Sequence, residues 1–141
     1  MSFALNFALK NPGHRVWIFP DGEIPPHGPS DPALAQPGVH GHESLVVLNT
    51  TENPVRPVLH VYFSDRDPWR IELPTIPARR VICYRTDEPL GAPGEEPRQI
   101  PHNVQYALVL ECDGPVVAQL GRMDIRQPNL AYYTVMGHPA A

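Results

Sequence analysis

Proline limits the folds open to this chain more than any other residue does. The 141 residues include 19 prolines, and a proline inside a helix removes a backbone hydrogen bond and clashes with the preceding turn. Each proline-free run is either too short for a useful helix or alternates apolar and polar residues with a period of two, which is typical of β-strands. The sequence therefore predicts an all-β protein with little or no helix.

Three predicted strands follow one another between residues 57 and 85. Residues 58–64, 69–73 and 79–85 are rich in Val, Ile and aromatic side chains, which favour strands. A turn at residues 65–68 and a corner at residues 74–77 separate them, and both contain proline. Strands joined by such turns are typical of an antiparallel meander.

The rest of the chain supplies the other strands of the predicted domain. They are expected at residues 15–20, 44–49, 104–112, 116–123 and 130–136. Asp113, Gly114 and Pro115 have the composition of a hairpin-type connection between two of them. About eight antiparallel strands predict a single domain, residues 1–141, with a jelly-roll-like two-sheet β-sandwich fold. The proline-rich residues 21–41 are predicted to be a loop, either partly disordered or fixed across an open end of the sandwich.

Residues 1–14 are predicted to form an N-terminal extension of this domain. Phe3, Leu5, Phe7 and Leu9 alternate with small or polar residues, which favours an added strand or an arm that packs on a neighbour. The segment lacks the charged start of a signal peptide, and no apolar run approaches the length of a membrane span. We therefore expect a cytoplasmic protein that does not insert into membranes.

The net charge limits the expected binding partners, and the positions of the two cysteines predict whether they form a disulfide. The formal net charge is -4, so nucleic acid is not an expected partner, because that role requires a basic surface. Cys83 and Cys112 both fall inside predicted strands. Two buried thiols are favoured over a cross-strand disulfide.

Polar and aromatic residues gather at the ends of the predicted strands. Guanidinium groups, carboxylates and an aromatic plate together can hold and orient a small polyhydroxylated or anionic ligand. The competing interpretation is that the charged residues form structural ion pairs and that the tryptophan belongs to the core. The ligand-binding candidates are Trp17, His42, Glu43, Tyr62, Asp65, Arg79, Arg80, Arg122, Asp124 and Arg126.

Enzymatic chemistry has weaker support in the sequence. His40 and His42 are similar to the His-x-His element of metal-binding cupins, but Glu43 is adjacent to His42 and would point to the opposite strand face. Neither a Gly-x-Ser-x-Gly nucleophile motif nor a phosphate loop is present. We therefore predict a non-enzymatic protein without a metal or another cofactor. A metal-dependent, cupin-like enzyme, with His60 or His102 as a distant ligand, is kept as an alternative.

Six short motifs occur in order along the chain. They are Trp17 with residues 21–26, residues 42–44 with Asn49, residues 62–65 with Pro68, residues 77–80, residues 100–102 and residues 122–127. Through them the sequence, from about residue 16 to residue 136, resembles the family of small proteins named after the sensory rhodopsin transducer. The resemblance implies a β-sandwich that assembles into a homotetramer and senses small molecules, with sugars or sugar acids the favoured ligands.

The resemblance also implies that the ten candidate residues bind the ligand, because they lie on the shared motifs. It further implies a link to signalling, since the founding role of the family is to couple a membrane photoreceptor to the cell interior. Two hypotheses follow. The first is a non-enzymatic binding or sensory protein for a sugar-like or anionic metabolite. The alternative is a protein-interaction adaptor that docks a photoreceptor or regulator through the same residues.

Overall fold

Eight antiparallel strands and one short turn of 3₁₀ helix make up the structure, a computed structural model that describes residues 12–141. The predicted N-terminal strand or arm lies almost entirely outside these residues. The all-β prediction is confirmed, because the helical turn covers only Pro32–Leu34. The strands are β1 (His14–Glu23), β2 (His42–Asn49), β3 (Pro57–Phe63), β4 (Trp69–Glu72), β5 (Arg80–Arg85), β6 (Gln105–Asp124), β7 (Ala131–Met136) and β8 (His138–Pro139).

The long strand β6 belongs to both layers of the sandwich. Its first half pairs with β1 and β3, which gives a first sheet in the order β4-β3-β6-β1-β8. Its second half pairs with β2 and β7, which gives a second sheet in the order β5-β2-β6-β7. The inner faces of both sheets contribute to one hydrophobic core. The predicted two-layer arrangement is therefore present, with one strand shared between the layers.

The prediction of a hairpin at Asp113, Gly114 and Pro115 is wrong, although the chain does bend there. The flanking halves of β6 do not pair with each other but with strands of different sheets. Between Val16 and His14 the partner of β1 shifts from Glu111 to Val116, so extra β6 residues bulge at this corner. Gly and Pro suit such a corner, because they bend a strand and interrupt its ladder of hydrogen bonds.

The core follows the two-residue alternation that the sequence shows. Leu108 and Leu110 of β6 pack inward, as do Leu45 of β2 and Leu59 of β3. Each fully buried leucine stabilises the fold by roughly 1.5–3 kcal/mol. Cys112 lies in this core as a free thiol.

Cys83 corrects the prediction of two buried thiols. It is free and exposed, because it pairs with Val46 on the outer face of the second sheet, while its neighbour Tyr84 points into the core. Cys83 therefore lies on an outer face while Cys112 lies in the core, and no disulfide joins them.

The proline-rich loop after β1 is pinned at several points. The ring Nδ1 of His102 lies 2.6 Å from the carbonyl oxygen of Pro25, and the Gly41 N–H donates to the carbonyl of His27 at 3.0 Å. Leu34 of the loop and Ile125, just beyond β6, line the same small cavity. Of the two predicted alternatives, the structure shows the fixed loop, which lies beside the end of the second sheet.

Candidate functional site

The carboxylate of Glu43, at the start of β2, is fully buried between the two sheets. It accepts hydrogen bonds from the Nε of Arg122 at 2.5 Å, from the hydroxyl of Tyr106 and from the backbone N–H of Glu23 at 3.2 Å. Glu43 and Arg122 belong to the second sheet, whereas Tyr106 and Glu23 belong to the first. This one carboxylate therefore links the two layers.

These contacts show that both ends of β6 return to one end of the sandwich. Tyr106 and Arg122 are sixteen residues apart in β6, which would separate them by about 53 Å in a straight strand, yet both bind Glu43. We call this end, where β1 finishes and β2 begins, the rim. The bend at residues 113–116 thus assembles a polar cluster from distant parts of the sequence.

Local packing fixes the position of Glu43 and Tyr106. The backbone N–H and hydroxyl of Thr86 both donate to the carbonyl of Glu43, at 3.0 and 3.2 Å. The Tyr106 ring covers Gly22, its partner on β1, so closely that a Cβ there would lie 2.6 Å from the ring. Glycine is required at this position because any side chain would displace Tyr106 from Glu43.

Electrostatics keeps the Tyr106 hydroxyl protonated and Arg122 charged near neutral pH. Burial, and then the negative charge of Glu43, raise the pKa of the Tyr106 hydroxyl well above its ordinary value, so it remains a hydrogen-bond donor. Burial acts to lower the pKa of Arg122, but the hydrogen bond and charge of Glu43 outweigh it and the pKa is raised. Arg122 is therefore a permanent cation.

Arg122 also reaches the surface, where it lines a small open cleft. Its Nη2 lies 4.0 Å from a carboxylate oxygen of Asp21, and its guanidinium carbon lies 5.5 Å from the centre of the Tyr133 ring. The cleft has a volume of about 70 Å³, and its lining also includes Glu43, Leu120, Gly121 and Val135. It offers a fixed cation, an exposed carboxylate and an aromatic ring within a few ångströms of one another.

Asp124 and Arg126 lie beyond Arg122 at the same rim but chiefly bind each other. The Nη2 of Arg126 lies 2.5 Å from Asp124, whose carboxylate also accepts the Arg126 backbone N–H. The hydrogen bond from Arg126 is the main cause of a lowered pKa for the Asp124 carboxyl. His42 is adjacent to Glu43 but points to the opposite face, and its Nδ1 lies 2.8 Å from the carbonyl oxygen of His40.

The structure places Arg79 and Arg80 far from the rim. Arg80 pairs with Asn49 at the opposite end of β2 from Glu43, which is a separation of about 20 Å along the strand. Arg79 is exposed, with a positive φ of 57° and a guanidinium 4.0 Å from Glu52. The two arginines do not join the cleft.

Three further candidates also lie apart from the cleft. Trp17 is buried in the core, where its indole N–H donates to the carbonyl of Val116 at 2.9 Å. Tyr62 lies on the outer face of the first sheet, because its neighbour Val61 packs inward. Asp65 occupies the turn between β3 and β4 and pairs with Arg66 at 2.9 Å. As ligand-binding residues, all ten candidates remain predictions.

Sequence reasoning missed four residues that build the rim: Asp21, Thr86, Tyr106 and Tyr133. Asp21 lies in one of the recognised motifs, so that motif was an available signal. Tyr106 follows the inward alternation of β6 and looks like an ordinary core residue. Thr86 and Tyr133 carry no sequence signal, because their roles depend on contacts with Glu43 and Arg122.

Within residues 12–141, no group of three or more His, Cys, Asp or Glu side chains is arranged to hold a metal ion. The same residues include no helix with the length and apolar character of a membrane span.

The fold and the rim define the class of this protein: a two-layer β-sandwich in which a buried glutamate holds an arginine at an open cleft. Residues 12–139 match the profile of the ASRT family, described as Anabaena sensory rhodopsin transducer. Because this match covers most of the sequence, the chain belongs to the sensory rhodopsin transducer family.

Two solved structures share the fold at appreciable sequence identity. The crystal structure of Thermotoga maritima 1070 is 29% identical, has a TM-score of 0.75 and matches 92% of this chain and 97% of that chain. The Anabaena sensory rhodopsin transducer is 28% identical, has a TM-score of 0.58 and matches 77% of this chain and 87% of that chain. No curated protein sequence matches this chain significantly.

Proposed function

We propose that this protein is a non-enzymatic sensory protein whose cleft at Asp21, Arg122 and Tyr133 binds a small sugar-like or anionic metabolite. The observation that carries the proposal is the position of Arg122. Glu43 binds its Nε from inside the sandwich, while its Nη2 lies 4.0 Å from Asp21 at the cleft that both residues line. A preorganised cation loses little side-chain entropy when a ligand binds, so it favours recognition.

The three cleft groups suit the parts of a sugar acid or a related polyhydroxylated molecule. Arg122 would bind a carboxylate or a pair of hydroxyls, because its planar fork supports bidentate hydrogen bonds. Asp21 would accept from a hydroxyl, and the exposed Tyr133 ring would contact an apolar C–H face. Glu43 is already bound by three donors, so we assign it to holding Arg122.

We also propose that the protein acts in the cytoplasm as a homo-oligomer, with four subunits as the family resemblance implies. Light scattering on the purified chain measures the subunit count directly. A monomer at micromolar concentration would contradict this part of the proposal.

A thermal-shift screen against monosaccharides, sugar acids and sugar phosphates tests the binding proposal. A ligand present at about 100 times its dissociation constant should stabilise the folded state by roughly 2.7 kcal/mol. Tyr133→Ala and Asp21→Asn should each weaken the response at small cost to the fold, because both side chains are exposed.

Tyr132→Ala is the matched control for Tyr133→Ala. Tyr132 is the preceding residue on β7 and is also exposed, but it lies on the other face and its hydroxyl sits over Gly121. The control should keep the ligand response of the unmodified protein. A flat response across the panel, or equal losses in Tyr132→Ala and Tyr133→Ala, would reject the cleft as the site.

A second candidate function is a signalling adaptor that binds another protein through the rim. The observation that favours it is the similarity to a solved structure named as the transducer of a sensory rhodopsin. In that case Arg122→Ala should change the oligomer mass in light scattering or abolish binding of the partner protein, while no small molecule shifts the melting temperature. The two outcomes therefore separate the candidates.

A further inference from the structure

A second depression lies at the same end of the sandwich as the cleft, but on the outer face of the second sheet. We call it the outer pocket. It has a volume of about 150 Å³ and is lined by Gly38, Val39, His40, His42, Arg85 and Met123. None of these six described residues is acidic, whereas the lining of the cleft includes Asp21 and Glu43. The outer pocket therefore offers donor groups without a lining carboxylate, in a chain whose formal net charge is -4.

Arg85, the last residue of β5, supplies a fixed cation to the outer pocket. Its Nε and Nη2 donate to the two carboxylate oxygens of Asp87, each at 2.8 Å, which leaves Nη1 outside this pair. These hydrogen bonds are the main cause of a raised pKa for Arg85, so the side chain stays charged. An arginine held by a carboxylate in this way keeps further N–H donors of its planar fork for an oxyanion.

Two imidazoles complete the donor set, and both are held in place by neighbouring groups. The Nδ1 of His42 lies 2.8 Å from the carbonyl oxygen of His40. Because a carbonyl oxygen only accepts, Nδ1 carries the hydrogen, and Nε2 is the ring atom left for a ligand. The His40 ring stacks on the His27 ring, with centroids 4.1 Å apart. The donors thus come from three segments: the loop after β1, the start of β2 and the end of β5.

This donor set suits a phosphate group better than it suits other small anions. A tetrahedral phosphate has more oxygens to bind donors from three segments than a planar carboxylate has. A phosphate monoester has a second pKa near 6, so near neutral pH it can keep a proton and donate it to a neutral Nε2. Carboxylates, with pKa values near 4, have lost that proton. Pockets for drug-sized ligands measure roughly 300–1,000 Å³, so the smaller volume here favours a small molecule.

We propose that the outer pocket binds the phosphate group of a small phosphate monoester. Arg85 would donate to the phosphate oxygens, Nε2 of His42 would share a proton with one of them, and His40 would add a further ring nitrogen. Val39 and Met123 would pack against the first carbons of the ester. This site is additional to the one proposed at the cleft, because the two share no lining residue.

The shared proton makes binding depend on pH. The other charged and titratable groups near the pocket are Cys83, Asp87 and Glu88 around Arg85, His27 and His102 beside His40, and Tyr132, the β7 partner of Met123. Asp87 already offsets the charge of Arg85, so the proton at His42 favours the bound phosphate. Free imidazoles and phosphate monoesters lose their protons near pH 6 to 6.5, whereas the complex keeps one. The dissociation constant should therefore rise by roughly tenfold from pH 7 to pH 8.

Isothermal titration calorimetry of the full chain with propyl phosphate tests the proposal. His42→Gln should weaken binding at pH 7 by roughly tenfold and remove the pH dependence, because Gln donates without a titrating proton. Arg85→Gln should weaken binding by roughly tenfold or more. Arg70→Gln is the matched control and should bind as the unmodified protein does, since Arg70 also pairs with a carboxylate two residues further on, Glu72, at 3.0 Å, but lies on β4 of the first sheet.

Two comparisons separate this site from its alternatives. Inorganic phosphate should bind roughly three- to tenfold more weakly than propyl phosphate, because it lacks the carbons that cover Val39 and Met123, and equal affinities would overturn the assignment to an ester. Asp21→Asn and Tyr133→Ala should leave propyl phosphate binding unchanged. If these two variants lose binding while His42→Gln and Arg85→Gln keep it, the phosphate lies in the cleft. That result, or no binding by the unmodified protein, would reject the outer pocket.

Discussion

The two ends of β2 each bury a polar side chain completely, but they use it differently. At one end Asn49 donates to the backbone carbonyls of Asn53, at 2.8 Å, and Pro77, at 3.1 Å, and its side-chain oxygen accepts from Thr51. All these contacts close neighbouring loops. At the other end Glu43 binds the side chain of Arg122, which continues to a surface cleft. Asn49 fixes only the course of the backbone, whereas Glu43 also holds Arg122, whose positive charge reaches the solvent.

This difference predicts that removing the two buried groups will cost different amounts of unfolding free energy. The amide of Asn49 is neutral, so removing it leaves hydrogen-bonding groups unpaired but no charge exposed to an apolar interior. Removing Glu43 would leave a partly buried guanidinium without its partner, which is more costly.

Glu43→Ala should have the largest effect on the fold. We expect a loss of about 3–5 kcal/mol in the free energy of unfolding, because Arg122 loses its buried partner. Denaturant unfolding monitored by fluorescence measures it. Glu111→Ala is the control, since this exposed carboxylate pairs with His60 and should change stability by no more than about 0.5 kcal/mol. Equal losses in the two variants would contradict the role given to Glu43.

Asn49→Ala should destabilise the fold by about 2–3 kcal/mol, because several backbone groups of adjacent loops lose their partner. The binding of any ligand found at the cleft should remain as in the unmodified protein. Denaturant unfolding and the ligand-induced thermal shift check the two parts. A variant that loses ligand binding while folded would show that the two ends of β2 are not independent.

Tyr106→Phe should cost about 2 kcal/mol, because its hydroxyl donates to the charged Glu43, and such bonds are worth more than neutral ones. Tyr84→Phe is the matched comparison, since its hydroxyl donates to the neutral carbonyl of Pro74 and should cost about 1 kcal/mol. Both variants can be measured in the same denaturant series. A larger loss for Tyr84→Phe would mean that the charge at the rim contributes little.

The smallest expected effect is the acid dependence contributed by Asp124. Arg126 lowers the pKa of the Asp124 carboxyl in the folded protein. This carboxyl therefore stabilises the fold at pH values above its ordinary pKa, and the contribution is lost as the pH falls through the lowered value. Arg126→Gln should raise the Asp124 pKa and remove less than about 1 kcal/mol. Carbon-detected NMR titration of Asp124 checks this, with Arg70→Gln as a control that leaves its pKa unchanged.

The sequence predicted most of the architecture because strand signals are local. Seven of the eight strands within residues 12–141 correspond to predicted segments, since the alternation in β2, β3 and β6 follows directly from which residues face the core. The short strand His138–Pro139 was missed because its pairing with Trp17 and Ile18 has no local signature. The corner at Gly114 and Pro115 was recognised as a turn, but its nature depends on which strands lie beside each half.

The sequence by itself determined that the chain is a β-sandwich with proline-rich turns and loops. Through its ordered motifs it also determined the family to which the chain belongs. Only the tertiary structure decided which polar residues share a site. In the folded protein Glu43 contacts Arg122 and Tyr106. Arg79 and Arg80 lie far from the rim, and Trp17 lies in the core. The physical reason is that strand faces are set by neighbouring residues, whereas the meeting of Tyr106 and Arg122 requires the long-range bend of β6, which no short stretch of sequence encodes.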